Sequence, residues 1–324
     1  MQPSDPTQTL DQESETADSL CIGRGSFAAI YVIPILGSPV AYKQIHHGDV
    51  DSDALMREYS ALEKIYLTCD TDSLFAIPRA LAFFNPNTAQ LLSSSPSPPS
   101  LWRRHERPLV TPAAFRPFTR TTYAMDRVFA VPLDAAQVIR EHFYPPAAAS
   151  IHTGPTLCRL YFGKNFANAP PSRFVNTANF PLDVVRYRLM TEQLPGLQTV
   201  EEVAFGMGEM LGRLHWRGGY DARDVEFVLG GDGISGFRYF VIDFNQLRTW
   251  QKTTEEVGAL VSSFFSNDPY YPRPRPSDPL YVAFKNGYLS AYPTQPDCHR
   301  VATTFLHDIE VEQAQRDAAA SDTA

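Results

Sequence analysis

The fold is decided by two neighbouring stretches, LHWRGGYDARDVEFVLGG at residues 214–231 and FRYFVIDFN at residues 237–245. The first stretch leaves a helix at a glycine pair and enters an apolar strand. The second reads as the returning strand of a hairpin, because apolar and aromatic runs flank a glycine-rich turn. Acidic residues lie where the strands meet loops, and the pattern predicts that they cluster: Asp221, Asp224, Glu226 and Asp243.

The helix before the hairpin carries its own boundary signals. Thr199 with Glu202 forms a capping-box pattern at its start. Gly218 and Gly219 provide an end signal, since glycine commonly terminates helices. One apolar stripe runs along the predicted helix: Val203, Met207, Met210, Leu211 and Leu214.

The N-terminal half reads as strands followed by a helix. Residues 21–45 are rich in β-branched and aromatic residues around the glycine-containing turn GRGSF at residues 23–27, and Lys43 lies near their end. Ser52 or Asp53 can cap the helix that follows, and Glu58 lies within it. Its predicted apolar face consists of Leu55, Tyr59, Leu62 and Tyr66. Further strands are predicted in FAIPRALAFFN and TTYAMDRVFAVP.

Four of these pieces, in this order, resemble the protein-kinase set. GRGSF resembles the glycine-rich loop, and Lys43 with Glu58 resembles the lysine–glutamate pair that holds nucleotide phosphates. Asp221 matches the catalytic-loop aspartate, and Asp243 matches the metal-binding aspartate. The resemblance implies an α+β, protein-kinase-like two-lobed fold with a small N-terminal β-rich lobe and a larger helical C-terminal lobe.

The predicted organisation has four parts. An acidic tail over residues 1–19 and a second tail over residues 311–324 are expected to be disordered, because acidic residues outnumber basic ones in both and such tails are usually solvated. The N-lobe is expected over residues 20–135, with a Pro/Ser/Arg-rich insertion at about 90–120. The helical C-lobe, with the catalytic-type loop, is expected over residues 136–310.

The catalytic pattern departs from that of kinases. Glu226 stands where kinases have an asparagine that binds the second magnesium ion. The Asp-Phe-Gly triplet becomes Asp243-Phe244-Asn245, and Gly219-Tyr220-Asp221 replaces His-Arg-Asp. Clustered carboxylates need a cation, which is either Mg²⁺ or an arginine guanidinium. Two structural alternatives stay open: the acids hold the loop in shape as in pseudokinases, and Lys43–Glu58 is a structural ion pair.

The stretches quoted above, together with LCRLYFGK at residues 157–164 and NDPYYPRP at residues 267–274, resemble a fungal kinase-like family. That family includes the arginine-containing cyclodipeptide synthases of fungal secondary metabolism. Its members are often labelled zinc-finger-like, a label that the cysteine spacing here does not fit. The resemblance implies that arginyl-tRNA and a second aminoacyl-tRNA are joined into a diketopiperazine without ATP or any required cofactor.

The residues are consistent with that reaction. A positioned carboxylate can accept the proton of an attacking amine, and acidic groups can select a guanidinium. Asp224 and Glu226 lie two apart, so their side chains share one face of an extended segment. We expect Asp221, Asp224, Glu226 and Asp243 to be catalytic. Substrate binding is expected from Lys43, Glu58, Arg223 and Asn245.

A basic arm is the candidate tRNA contact. Arginines alternate with Trp102, Phe115 and Phe118, a composition that suits a nucleic-acid backbone and its bases. The alternative is a solvated loop. The arginines of this arm are Arg103, Arg104, Arg107, Arg116 and Arg120.

Composition sets the remaining expectations. The four cysteines are far apart, which argues against a structural zinc site and a disulfide framework, and no metal ligands are assigned. The sequence contains neither a signal-peptide pattern nor an apolar run near the roughly 18 residues of a membrane-spanning helix, so a cytoplasmic protein is expected. A small-molecule kinase and a non-catalytic pseudokinase binding module are the competing functions.

Overall fold

The computed structural model describes residues 19–35, 38–46, 49–94, 108–148, 154–166, 175–267 and 269–321. Within these residues the chain forms a mixed α+β fold with two β-sheets and seven α-helices, as the sequence predicted at this level. Among the described residues, no helix combines the length and the apolar character that a membrane-spanning segment requires.

The first sheet has six antiparallel strands from the N-terminal part of the chain, in the order β1-β2-β3-β7-β5-β6. Its central strand β3 is almost entirely buried, which fits its β-branched and aromatic composition. The strands are β1 (Leu20–Arg24), β2 (Ala28–Val32), β3 (Val40–Ile45), β5 (Ala80–Asn85), β6 (Gln90–Ser93) and β7 (Thr122–Asp126).

Helix α1 (Asp49–Cys69) packs against this sheet. Its predicted apolar face is confirmed, because all four members are buried: Leu55, Tyr59, Leu62 and Tyr66. The predicted cap at Ser52 or Asp53 is wrong, since both residues lie inside the helix. The Ser52 hydroxyl instead lies 2.7 Å from that of Thr121 and joins the helix to the residues just before β7.

The second sheet has five strands in the order β4-β11-β10-β8-β9. The predicted hairpin is confirmed as the antiparallel pair β10–β11. β8 pairs antiparallel with β10, whereas β4 and β9 run parallel to their neighbours β11 and β8. The strands are β4 (Phe75–Ala76), β8 (Leu157–Leu160), β9 (Asn179–Leu182), β10 (Glu226–Gly231) and β11 (Phe237–Ile242).

The remaining helices pack around the second sheet. The capping box of α4 is present as predicted: the Glu202 amide donates to the Thr199 hydroxyl and the Glu202 carboxylate accepts from the Thr199 amide. A π-helical turn at Leu214–Gly218 follows, and Gly219 ends it at φ 73°. The helices are α2 (Leu133–Phe143), α3 (Val184–Gln193), α4 (Val200–Arg213), α5 (Val257–Ser266), α6 (Pro279–Ser290) and α7 (Pro296–Ser321).

Two of the predicted boundaries differ from the structure. The division between residues 135 and 136 falls inside α2, and β4 of the N-terminal region belongs to the second sheet. The disordered tail predicted from residue 311 is wrong up to Ser321, because α7 continues to that residue with Gln313 buried.

The predicted nucleic-acid arm is only partly described. Arg103, Arg104, Arg107 and Trp102 lie outside the described residues. Phe115 and Phe118 are buried against Tyr42, with ring centroids 5.7 and 4.9 Å from its ring, so neither ring is accessible for stacking on a base. Both rings belong to a second core behind the first sheet.

Candidate functional site

A cleft of about 510 Å³ lies between the two sheets. The glycine-containing turn at residues 23–27 lines one side, and the start of β10 and the segment after β11 line the other. Six of the predicted site residues line this cleft, each from its own strand, helix or loop. The predicted residues that line the cleft are Lys43, Glu58, Asp224, Glu226, Asp243 and Asn245.

Lys43 joins the two halves of this cleft. Its Nζ lies 2.6 Å from Glu58 Oε1 on α1 and 3.1 Å from Asp243 Oδ1 after β11. The Tyr123 hydroxyl donates to the same Glu58 oxygen at 3.1 Å. The Lys43–Glu58 contact expected from the sequence is therefore present, and it extends to a third charged residue.

The ammonium group of Lys43 stays charged in this setting. Burial lowers its pKa, but the carboxylates of Glu58 and Asp243 raise it more, so the pKa lies above its ordinary value. Burial also raises the pKa of Tyr123 well above its ordinary value, so this phenol stays a neutral hydrogen-bond donor. Lys43 thus acts as a fixed cation at the centre of the cleft.

Backbone strain is concentrated beside the acids. Asp224 and Asp243 both have φ 63°, and Ala222 has φ 52°. The left-handed region is unfavourable for residues with a β-carbon, although aspartate tolerates it better than most. Such strain is found preferentially at functional sites, where surrounding contacts hold it.

The prediction that Asp224 and Glu226 share one face of an extended segment is wrong. β10 begins only at Glu226, and the positive φ of Asp224 turns the chain before it. The Asp224 amide donates to Asn267 Oδ1 at 2.5 Å, and its carboxylate accepts from Gln246 Nε2 at 2.5 Å. Both side chains line the cleft, but each is placed by different neighbours.

Glu226 has a partner that sequence reasoning missed. Arg159 on β8 places Nη2 2.5 Å from Glu226 Oε1, and both residues line the cleft. The signal in the sequence was a single arginine in the otherwise apolar strand LCRL. Of the two cations that the sequence left open, Mg²⁺ and a guanidinium, Glu226 has a guanidinium, and the protein itself supplies it.

Asp221 does not line the cleft. It is 3% exposed, and Oδ2 accepts from Arg248 Nε at 2.7 Å and from the Ser263 hydroxyl at 2.9 Å. Oδ1 accepts from the backbone amides of Arg248 and Arg223 at 3.0 and 3.2 Å. This carboxylate ties the loop before β10 to the segment after β11 and to α5, which is a structural role; its expected catalytic role stays a prediction.

The remaining predicted residues divide between cleft and surface. Asn245 lines the cleft, and its Oδ1 is buried without a hydrogen-bond partner among the residues that the structure describes. Arg223 is half-buried and does not line the cleft. Arg116 and Arg120 are exposed and lie outside the cleft lining.

The acids therefore do not form the shared cluster that was expected. Asp221 pairs with Arg248, Glu226 with Arg159 and Asp243 with Lys43. Each carboxylate has its own cation or amide donor, which removes the electrostatic need for one common ion. Among the described residues, no group of three or more histidine, cysteine, aspartate or glutamate side chains is placed to hold a metal ion.

Residues 239–293 match the family DUF3669, which is described as a zinc finger protein. The matched region begins in β11 and contains Asp243, Asn245 and Arg248, but it contains neither cysteine nor histidine. The usual zinc ligands of such a finger are thus missing from the matched stretch. No curated protein matches the chain.

Proposed function

We propose that the protein is an arginine-containing cyclodipeptide synthase, which joins arginyl-tRNA and a second aminoacyl-tRNA into a cyclic dipeptide. The observation that supports this most directly is the acidic lining of the cleft, to which Asp224, Glu226 and Asp243 all belong. Carboxylates bind a guanidinium through charge-assisted hydrogen bonds, so such a lining suits an arginyl group. The kinase-like two-lobed arrangement is part of the proposal, with the two sheets as the β-parts of the two lobes.

The charge of the cleft supports a cationic substrate. Among the described residues, its lining contains five carboxylates but only three basic side chains, Arg24, Lys43 and Arg159. The five acids are Glu58, Asp126, Asp224, Glu226 and Asp243. An arginyl side chain gains from this excess of negative charge, whereas a free polyphosphate loses.

The proposed chemistry needs two amide bonds. The α-amino nitrogen of one aminoacyl group attacks the ester carbonyl of the other, and the ribose oxygen of that tRNA leaves as a hydroxyl. The second amino group then attacks the remaining ester and closes the ring, which releases the second tRNA. Each attacking amine loses one proton, and Asp224 or Glu226 is the proposed acceptor. No cofactor is required because both esters are already activated, and Mg²⁺ remains an alternative occupant.

Arginyl-tRNA and the second aminoacyl-tRNA are the proposed partners. Arg116 and Arg120, which are exposed, are the proposed tRNA contacts among the described residues. Contacts of this kind release counterions from the RNA, so binding should weaken as salt rises. We place the reaction in the cytoplasm, where aminoacyl-tRNAs are made, and in fungal secondary metabolism.

Product analysis by mass spectrometry tests the reaction. The full chain is expressed in a heterologous host beside Asp224→Asn, Glu226→Gln and the matched surface variant Glu201→Gln, whose side chain is exposed at the start of α4. We expect a new arginine-containing diketopiperazine from wild type and Glu201→Gln, and at least a tenfold loss in the two cleft variants. Soluble wild type that makes none, even when supplied with arginyl-tRNA and other aminoacyl-tRNAs, would refute the proposal.

A small-molecule kinase is the second candidate, and the intact Lys43–Glu58–Asp243 contacts favour it. The burial of Asp221 beneath Arg248 and Ser263 weighs against it, because a kinase uses this aspartate to orient the accepting hydroxyl. Thermal stabilisation by ATP that requires Mg²⁺ and is lost in Lys43→Met would support the kinase. A pseudokinase binding module would show neither a cyclic product nor phosphoryl transfer.

A further inference from the structure

Arg159 is the charged residue of an otherwise apolar strand. Cys158 and Leu160 on either side of it are fully buried, whereas Leu157 and Arg159 line the cleft. This alternation is the normal two-residue period of a strand, so the backbone of β8 aims Arg159 at the cleft. A buried strand seldom carries a charge on its cleft face without a partner.

The register of the sheet decides what that partner is. Arg159 pairs directly with Val228 of the antiparallel strand β10. Glu226 lies two residues before Val228 and therefore on the same face, at the diagonal position that long side chains reach. The resulting contact joins Nη2 and Oε1 at 2.5 Å, while Nη1 donates to the Tyr161 hydroxyl at 3.2 Å. Two acceptors thus fix the plane of the guanidinium.

The surroundings keep this arginine charged. Burial lowers its pKa, but Tyr270, Glu226 and Tyr161 raise it more, so the pKa lies above its ordinary value. Tyr161 and Tyr270 stand with ring centroids 4.9 Å apart and are both buried. The other carboxylates of the same cleft are Glu58, Asp126, Asp224 and Asp243, and its other cations are Arg24 and Lys43.

We propose that Arg159 is a positioning residue, which holds the carboxylate of Glu226 against the cleft wall in its charged form. The proposal rests on the proposed function, because it assumes that Glu226 acts on the substrate. Arg159 itself acts through Glu226. A purely structural ion pair would contribute stability alone, whereas a positioning residue also sets the pH range in which Glu226 works.

Three variants separate these roles: Arg159→Met, Arg159→Lys and the exchange Arg159→Glu/Glu226→Arg. The matched control is Arg188→Met, which breaks the exposed Arg188–Glu201 pair. We expect Arg159→Met to lower kcat/KM for cyclic dipeptide formation at least tenfold. Its acidic limb should move to higher pH, because a carboxylate without its guanidinium takes up a proton more readily. Arg159→Lys should restore part of kcat/KM and bring the acidic limb part of the way back. Arg188→Met should change neither kcat/KM nor the acidic limb.

The exchange variant gives the sharpest outcome. It rebuilds an ion pair with the charges in exchanged places, so we expect stability in chemical denaturation to recover while synthesis does not. Recovery of both stability and synthesis would overturn the proposal and leave a structural pair. An unchanged pH profile in Arg159→Met would also overturn it.

A titration of protein stability tests, without measuring catalysis, whether Arg159 holds Glu226 in its charged form. The difference in unfolding free energy between wild type and Glu226→Gln is measured against pH, and again in the Arg159→Met background. Because the Arg159 guanidinium favours the ionised carboxylate, we expect the contribution of Glu226 in wild type to be present at high pH and to be lost as pH falls. We expect that loss at higher pH without Arg159. If the contribution of Glu226 to stability were half lost at the same pH with and without Arg159, the inference would be overturned. A wild type that makes no cyclic dipeptide would overturn only the proposed function.

Discussion

Asp221 and Asp224 lie three residues apart on one loop, and the fold uses them in opposite ways. Asp221 is buried under Arg248 and Ser263 with both oxygens bonded, whereas Asp224 lines the cleft. Removing charge from a buried, multiply bonded carboxylate leaves its donors without an adequate acceptor. The two residues therefore predict two different mutant phenotypes.

We expect Asp221→Asn to lower the unfolding free energy by about 2–3 kcal/mol, since charge-assisted hydrogen bonds are the strong ones. Asp224→Asn should stay within about 0.5 kcal/mol of wild type, as asparagine tolerates positive φ, while product formation falls. Urea unfolding and product yield, measured on the same preparations, check both. Equal stability of the two variants would contradict the structural role of Asp221.

Sequence reasoning reached some of these residues and missed others for a physical reason. Lys43, Glu58 and Asp243 were predictable because each lies in a motif with its own local context. The role of Asp221 was not, since it depends on Arg248, which reaches it only after the chain turns at Asp243 with φ 63°. Arg159 was missed because its contact with Glu226 depends on the pairing register of β8 and β10, which the sequence does not specify locally.

At the scale of elements, α4 and α6 approach so closely that a β-carbon is excluded at the glycines where the two backbones meet. A β-carbon on Gly208 would overlap the Phe284 carbonyl oxygen, and one on Gly287 would overlap the Phe205 carbonyl oxygen. Backbone atoms cannot yield as flexible side chains can. Gly208 and Gly212 of α4, together with Gly287 of α6, therefore set the distance between the two helices.

We expect Gly208→Ala to destabilise the protein by about 2 kcal/mol or more, because overpacking forces the helices apart. Gly258→Ala is the matched control: it lies in α5 with nothing within 4 Å of an added β-carbon, so alanine should stabilise by about 0.5–1 kcal/mol. Thermal or urea denaturation of both variants gives the comparison. A Gly208→Ala protein as stable as wild type would show that the helices can separate without loss.

Elements were predictable where their signals were local. The capping box of α4 and the hairpin β10–β11 were confirmed, because Thr199, Glu202 and the glycine-rich turn specify them directly. The tail after residue 310 was mistaken for disorder because its composition is acidic. In the structure, Arg275 pairs with Asp317 and Gln313 is buried, and these tertiary contacts accompany the continuation of α7.

At the scale of the molecule, Lys43 makes a charged contact across the cleft between the two sheets. It belongs to β3 of the first sheet, and Asp243 follows β11 of the second. Its other partner, Glu58, is only 1% exposed in its side chain. Loss of Lys43 would leave that carboxylate buried and without its cation, a costly state.

We expect Lys43→Met to cost about 3–5 kcal/mol of unfolding free energy, the usual cost of breaking a buried pair from one side. The double variant Lys43→Met/Glu58→Met should recover at least half of that loss, since apolar replacement of a buried pair is often nearly neutral. Arg188→Met, which breaks an exposed pair, should cost no more than about 1 kcal/mol. Urea unfolding of the three variants, with comparison of their m-values, checks the order of these losses in unfolding free energy.

If Lys43→Met lowered the unfolding free energy no more than Arg188→Met does, the contact of Lys43 with Asp243 would not stabilise the two sheets against each other. The role of Lys43 would then be ligand binding alone. If the double variant failed to recover, the loss would lie in the missing link to Asp243 rather than in the stranded charge of Glu58.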